Sequence, residues 1–174
     1  MTVLLVDTDI LIAHLRGVAA ARDWLKSARA KGRLYISAVS VAELAGGMRA
    51  NEGSGVEALI SIFTVEPITE QVGWQAGEYQ RRFGKSHSGI GIADYLIAAT
   101  AKLLHTEPST LNIKHFPMFP GLTRPFELPR KNFPVHQSHN SGFTVFASPT
   151  SSDTNASLDA ASHQSISGRP APGL

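Results

Sequence analysis

The chain has 174 residues, of which 43% are hydrophobic and 17% charged, and its formal net charge is +2 at pH 7. This length and composition favour one globular domain with a substantial core, and the weak positive charge permits a polyanionic partner without requiring one. Because the chain contains no cysteine, disulfides and thiolate metal sites are excluded.

Membrane insertion and secretion are not expected from the sequence. No stretch approaches the roughly 20 apolar residues of a membrane span. The first apolar run, residues 3–6, is stopped by Asp7 and has no basic region before it, unlike a signal peptide. We therefore expect a cytoplasmic protein without membrane contact.

The first part of the chain is predicted to form a buried strand followed by two helices. The continuous apolar run 3–6 is typical of a parallel strand covered on both faces. Residues 7–9 follow its carboxyl end, and segments 10–15 and 18–31 have helical composition or apolar spacing. Gly32 is a natural end for the second helix.

The rest of the domain alternates between helical and strand-like segments. In chain order these are a strand at 34–36, a helix at 39–50 capped by Ser37, a helix at 56–63, a strand at 64–68, helices at 70–83 and 92–104, and a strand at 109–113. Such alternation predicts an α/β fold, a three-layer α/β/α sandwich with a mainly parallel central sheet.

The composition changes near residue 130. Residues 131–174 contain nine serines, four prolines and only four charged residues, and they show no hydrophobic periodicity. Such a segment is typical of a disordered or loosely attached extension. We therefore assign residues 1–130 to the folded domain and 131–174 to a low-complexity tail.

Three acidic residues far apart in sequence, Asp7, Glu43 and Asp94, each stand near the start of a predicted helix. The carboxyl edge of a parallel sheet is where ligands bind in open α/β folds, so these side chains can converge there. Clustered carboxylates repel unless a hard divalent cation compensates them, and such a cation can activate water against a phosphodiester. The arrangement is a candidate metal site.

Each of the three acids also has a purely structural interpretation, which the sequence leaves open. Asp7 can cap the helix that follows it. Ser40 and Glu43 fit a capping box, although Ser37 fits the cap position equally well. Asp94 is favoured in the first turn of its helix by the helix dipole.

Four segments in order resemble the four motifs of the PIN-domain nucleases: VDTDILI at 6–12, ISAVSVAEL at 36–44, IADYLIAATA at 92–101 and TLNIKHFP at 110–117. Within that superfamily the resemblance is strongest to the VapC toxins of bacterial toxin–antitoxin pairs, and it covers about residues 2–128. It implies the PIN-like fold and an endoribonuclease dependent on Mg²⁺ or Mn²⁺. It also implies a cognate VapB-type antitoxin and a homodimer.

The same resemblance assigns roles to individual positions. The family's metal-binding and catalytic carboxylates fall on Asp7, Glu43 and Asp94, and Asp9 falls on a supporting position. The fourth acidic position of the family falls on Asn112, which has no charge and would be at most a neutral ligand or a water-holding residue.

One segment departs from the family pattern, and several basic residues flank the motifs. Pro108 stands where the family enters its last strand, and because proline cannot donate to a sheet, we expect a shortened strand there. Four side chains near the motifs are candidates for phosphate contacts, namely Arg16, Arg49, Lys85 and Lys114.

Two other functions compete with the nuclease interpretation. Asp7 and Asp9 after a strand resemble the nucleophile motif of haloacid dehalogenase-type phosphatases, but Ile10 and Leu11 replace the usual Gly-Thr. The neutral Asn112 and the altered last strand fit a non-catalytic PIN fold that binds RNA or a protein.

Overall fold

The computed structural model describes residues 2–128, so the predicted tail at 131–174 and its boundary lie outside the described residues. The sheet contains four parallel strands, β1 (Thr2–Val6), β2 (Gly32–Ser37), β3 (Thr64–Glu66) and β4 (Pro108–Ser109). The helices are α1 (Thr8–Leu15), α2 (Ala19–Lys31), α3 (Ala38–Gly47), α4 (Gly53–Ile60), α5 (Glu70–Phe83) and α6 (Ile92–Leu103), followed by a short 3₁₀ helix, Ile113–His115.

The strand order β3-β2-β1-β4 places β1 in the interior of the sheet. Leu5 of β1 is level with Tyr35 of β2 on one side and with Pro108 of β4 on the other. All strands run in the same direction, so their carboxyl ends share one edge of the sheet. Both Asp7 and Ser37 lie at that edge, because each stands at or just after the end of its strand.

Successive residues of β1 point to opposite faces of the sheet and enter two separate cores. Val6 packs in a cluster that includes Ile10 of α1 and Leu25 of α2. Leu5 packs in a second cluster that includes Val72 of α5 and Ile97 of α6. Helices therefore cover both faces, which confirms the predicted three-layer arrangement and explains why the strand is apolar throughout.

The last strand is the main difference from the predicted elements. A strand at 109–113 was expected, and β4 instead spans only Pro108 and Ser109. Pro108 is tolerated because it begins the strand and lies on the sheet edge. Beyond Ser109, the backbone N–H groups of Leu111 and Asn112 donate to the side chain of Asp9, so they do not continue the ladder.

Smaller differences concern helix ends. The helix expected at 39–50 ends at Gly47, and the helix expected at 56–63 begins earlier, at Gly53, within a predicted loop. Ser37 caps α3 as predicted, since its Oγ accepts a hydrogen bond from the N–H of Val39. Every helix within residues 2–128 is too short or too polar to cross a membrane.

Candidate active site

Asp7 lies between the end of β1 and the start of α1, and it is 5% exposed. Its backbone N–H donates to Ser109 of β4 at 2.9 Å, which ties it to the edge strand. Its Oδ1 accepts from the N–H of Thr8 at 2.7 Å, and its Oδ2 accepts from the hydroxyl of Thr110 at 2.7 Å. Asp7 therefore caps α1, as one interpretation predicted, and also joins a buried polar cluster.

Asp9, in the first turn of α1, holds the segment that follows β4. Its Oδ2 lies 3.0 Å from the hydroxyl oxygen of Thr110, and it accepts from the N–H groups of Leu111 at 2.8 Å and Asn112 at 3.0 Å. Its Oδ1 is buried and has no hydrogen-bond partner. Because Thr110 has only one hydroxyl proton, it cannot donate to Asp7 and Asp9 at the same time.

Glu43 does not form the capping box with Ser40 that its spacing allowed. Ser37 is the N-cap of α3, and Glu43 reaches across to α1, where its Oε2 accepts from the hydroxyl of Thr8 at 2.6 Å. The Oγ of Ser40 lies 2.9 Å from the same hydroxyl oxygen. Glu43 is an exposed residue. Its contact with Thr8, the residue after Asp7, holds its carboxylate at the outer side of the acidic cluster.

Asp94 occupies the first turn of α6 and has two partners on one oxygen. Its Oδ2 accepts from the N–H of Gly91 at 2.8 Å, a helix-start hydrogen bond that accords with the structural interpretation. The same oxygen lies 3.1 Å from Nδ1 of His115. Sequence reasoning assigned no role to His115; only its position within the fourth motif marked the segment.

Burial and mutual repulsion disfavour the charged forms of these acids. Burial, and next the neighbouring charge of Asp9, hold the pKa of Asp7 well above its ordinary value. Burial also raises the pKa values of Asp9, Glu43 and Asp94, and the charges of Asp94 and Asp9 raise that of Glu43 further. The four carboxylates are therefore close enough to destabilise one another.

A PIN domain family model matches residues 4–107. The chain is also 56% identical over 126 residues to Ribonuclease VapC10 of Mycobacterium tuberculosis (strain ATCC 25618 / H37Rv), covering 72% of this chain and 95% of that relative. The chain belongs to the VapC group of the PIN domain family. A phosphatase of the haloacid dehalogenase type is not supported by this membership.

Solved structures share the fold of this PIN domain. A toxin–antitoxin complex from Klebsiella pneumoniae matches with a TM-score of 0.61 and 24% identity, covering 72% of this chain and 99% of that chain. The structure of VapBC-1 from nontypeable Haemophilus influenzae matches with a TM-score of 0.56 and 26% identity, covering 66% of this chain and 90% of that chain.

The carboxylates of this PIN domain fit a hard divalent cation by their chemistry. They supply oxygen ligands only, and Asp9 contributes a buried oxygen without a partner. Within residues 2–128 no group of three or more His, Cys, Asp or Glu side chains is already arranged to hold an ion. Mg²⁺ needs only one or two protein carboxylates, because it keeps several of its waters, so a looser cluster suffices.

The basic residues divide into two sets. Arg16 follows the C-terminal end of α1, about 12 Å along the helix from its first residue at the site. Arg49 stands two residues beyond α3, the helix that carries Glu43. Lys114 lies in the 3₁₀ helix beside Asn112, and exposed Lys85 follows α5, near where α6 begins. Of these four residues, Lys114 lies on the segment that contacts an acid of the site, since the next residue, His115, lies against Asp94.

Proposed function

We propose that this chain is a divalent metal-dependent endoribonuclease, the toxin of a toxin–antitoxin pair, with Asp7, Glu43 and Asp94 as its metal-binding catalytic carboxylates. The observation that carries the proposal is the convergence of these three acids with Asp9 at the carboxyl edge of the sheet, with raised pKa values. Such an acidic cluster is costly for the fold alone, and a cation would offset its repulsion.

Asp7 and Asp94 are the residues that would hold Mg²⁺ or Mn²⁺, and Glu43 would complete the site from its rim. A bound cation of this kind activates water for attack and stabilises negative charge on the phosphodiester. Thr8 donates to Oε2 of Glu43 and leaves Oε1 as a second acceptor. Burial raises the pKa of Glu43, which makes it a better acceptor than an ordinary carboxylate for a proton from the attacking water.

Asp9 and Asn112 would have supporting roles. Asp9 fixes the backbone after β4 through the N–H groups of Leu111 and Asn112. That contact keeps Thr110 against Asp7 and so shapes the deepest part of the site. Asn112 cannot supply a charge, and its contribution would be limited to a neutral ligand or a held water.

RNA is the proposed substrate, and the segment before α6 supports it. Residues 79–93 contain three Lys or Arg residues and a histidine but no acid, and they lead directly to Asp94. Arg81, Arg82 and Lys85 are exposed there. Exposed cations beside a nuclease site can contact the phosphates of a strand and make its binding salt-dependent.

A VapB-type antitoxin is the proposed protein partner, and the likeness to the Haemophilus VapBC-1 structure supports it. We also propose a cytoplasmic homodimer, as the family resemblance implies. Trp74 on α5 is 70% exposed, and large aromatic side chains of this kind are common anchors at protein interfaces. Sedimentation of the wild type and of Trp74→Ala would test the dimer.

The activity is tested with purified protein and structured RNA in Mg²⁺, in Mn²⁺ and in excess EDTA. The wild type should cleave only with a metal. Asp7→Asn and Asp94→Asn should each lower the cleavage rate by at least about 100-fold, because replacing even a residue that only hydrogen-bonds to a metal ligand typically lowers activity by 10–100-fold. Asp23→Asn, an exposed acid on α2, is the matched control.

The same experiment distinguishes the metal-dependent nuclease from a non-catalytic PIN fold that only binds RNA. Cleavage that persists in EDTA would refute the metal mechanism. RNA binding with intact RNA after long incubation in Mn²⁺ would instead favour a non-catalytic RNA-binding module, the alternative that the neutral Asn112 and the two-residue β4 favour.

A further inference from the structure

His115 contacts one of the proposed catalytic carboxylates, although no sequence pattern singles it out. Its Nδ1 lies 3.1 Å from Oδ2 of Asp94, and the two side chains are only 24% and 22% exposed. The contact joins the 3₁₀ helix after β4 to the first turn of α6. A contact this well buried between two elements differs from an exposed surface ion pair, which contributes little.

The backbone that carries His115 is fixed on both sides. Before it, Asp9 accepts from the N–H groups of Leu111 and Asn112. After it, Phe116 is 1% exposed and packs in the core cluster on the α5 and α6 face of the sheet. The N–H of His115 itself donates to the carbonyl of Asn112 at 3.0 Å. The imidazole is therefore held at Asp94 by the fold and not by the contact alone.

The two polar contacts of Asp94 fall on one of its two oxygens. Gly91 N–H and His115 Nδ1 both approach Oδ2. Such hydrogen bonds to a ligating carboxylate fix its orientation and strengthen a metal site. Nδ1 carries a proton in one neutral tautomer and in the cation, so this arrangement does not require His115 to be charged.

We propose that His115 is a positioning residue for the cation site: its Nδ1–H donates to Oδ2 of Asp94 and keeps the other oxygen, Oδ1, available to a divalent cation. The inference rests on the proposed metal-dependent function. It predicts that His115 affects cation binding even when no RNA is present. If His115 only contacted the substrate, replacing it would leave cation binding unchanged.

The experiment measures Mn²⁺ binding to the full chain without RNA, by electron paramagnetic resonance of the free ion. His115→Ala should weaken Mn²⁺ binding by about 10- to 100-fold. His115→Asn, whose amide can place an N–H near the position of Nδ1, should recover most of the affinity. His105→Asn removes an exposed histidine beyond the C-terminal end of α6, far along that helix from Asp94, and should bind Mn²⁺ as the wild type does. Unfolding in EDTA is measured for every variant.

Two outcomes would overturn the inference while leaving the proposed function intact. In the first, His115→Ala binds Mn²⁺ as tightly as the wild type although Asp94→Asn does not. In the second, His115→Asn has wild-type stability in EDTA yet binds as weakly as His115→Ala, so the hydrogen bond is not the cause. If the wild type binds no Mn²⁺ and Asp94→Asn changes nothing, the proposed metal site itself fails.

Discussion

Replacing Asp7 by asparagine should stabilise the metal-free protein while it abolishes cleavage. Asp7 is 5% exposed, and burial and the charge of Asp9 oppose its ionisation. Asparagine has nearly the same shape, and its Oδ1 can still accept from the N–H of Thr8. Its Nδ2 would donate to Thr110, whose single proton is then free to bind Asp9. The substitution therefore removes a buried charge and frees the hydroxyl proton of Thr110 for Asp9.

The size of the gain follows from two distances. Thr110 Oγ1 lies 2.7 Å from Oδ2 of Asp7 and 3.0 Å from Oδ2 of Asp9, so these carboxylate oxygens are at most about 5.7 Å apart, the sum of the two. Two unit charges at that distance repel by roughly 3 kcal/mol at an effective dielectric constant of 20. Because each charge is shared by two oxygens, we expect a gain of about 1–3 kcal/mol, or roughly 3–10 °C in unfolding temperature.

The assay is equilibrium unfolding in EDTA at pH 7 and again near pH 3. The folded pKa of Asp7 is raised, so the wild type loses stability as the pH rises through that value. Below the ordinary pKa of 3.8, Asp7 is protonated in both states, and the advantage of Asp7→Asn should vanish. Asp23→Asn should stay within about 0.5 kcal/mol of the wild type. The reasoning is wrong if Asp7→Asn is no more stable than the wild type at pH 7. It is also wrong if the stability difference between the two proteins is as large near pH 3 as at pH 7.

Three further results are expected. Thr8→Val removes the hydrogen-bond donor to Glu43, so the pKa of Glu43 should rise and the acidic limb of the plot of cleavage rate against pH should move to higher pH. Thr8→Ser keeps the hydroxyl and should leave that limb in place. Identical plots for the two variants would mean that Thr8 does not act on Glu43. Mn²⁺ at about 100 times its dissociation constant should stabilise the wild type by about 2.7 kcal/mol in thermal unfolding, and EDTA should reverse this; no shift would argue against a bound cation. Replacing both Arg81 and Lys85 by Gln should weaken RNA binding in EDTA and lower the slope of log binding constant against log salt concentration by about 1.4. Lys26→Gln on α2 is the control. An unchanged slope would mean that RNA does not contact these two residues.

The carboxylates were predictable because their positions depend on local pattern. A buried apolar run ending at Asp7 and a loop before Asp94 place these two acids at the start of a helix, and the cap at Ser37 places Glu43 in the second turn of α3. Parallel strands then bring Asp7 and the start of α3 to one edge of the sheet, which periodicity can suggest. The layers and strand direction were confirmed for the same reason.

The side chains that contact these acids could not be predicted in the same way. Thr110 and His115 act through contacts with residues that are distant in sequence, and threonine or histidine in a loop has many ordinary roles. The end of β4 was also missed, because the N–H groups of Leu111 and Asn112 bind a side chain on α1, and no periodic pattern encodes that choice.

The contact between Asp9 and residues 110–112 also sets the order in which the site can form. The sequence separation of these hydrogen bonds is about 100 residues, so they close one of the longest loops in the domain. During synthesis at 5–20 residues per second, Asp7, Glu43 and Asp94 all leave the ribosome before Leu111 does. A nascent chain thus carries Asp94, the last of the three acids, for roughly 1–3 s before Leu111 follows it, and the contact with Asp9 cannot form until residues 110–112 have been made.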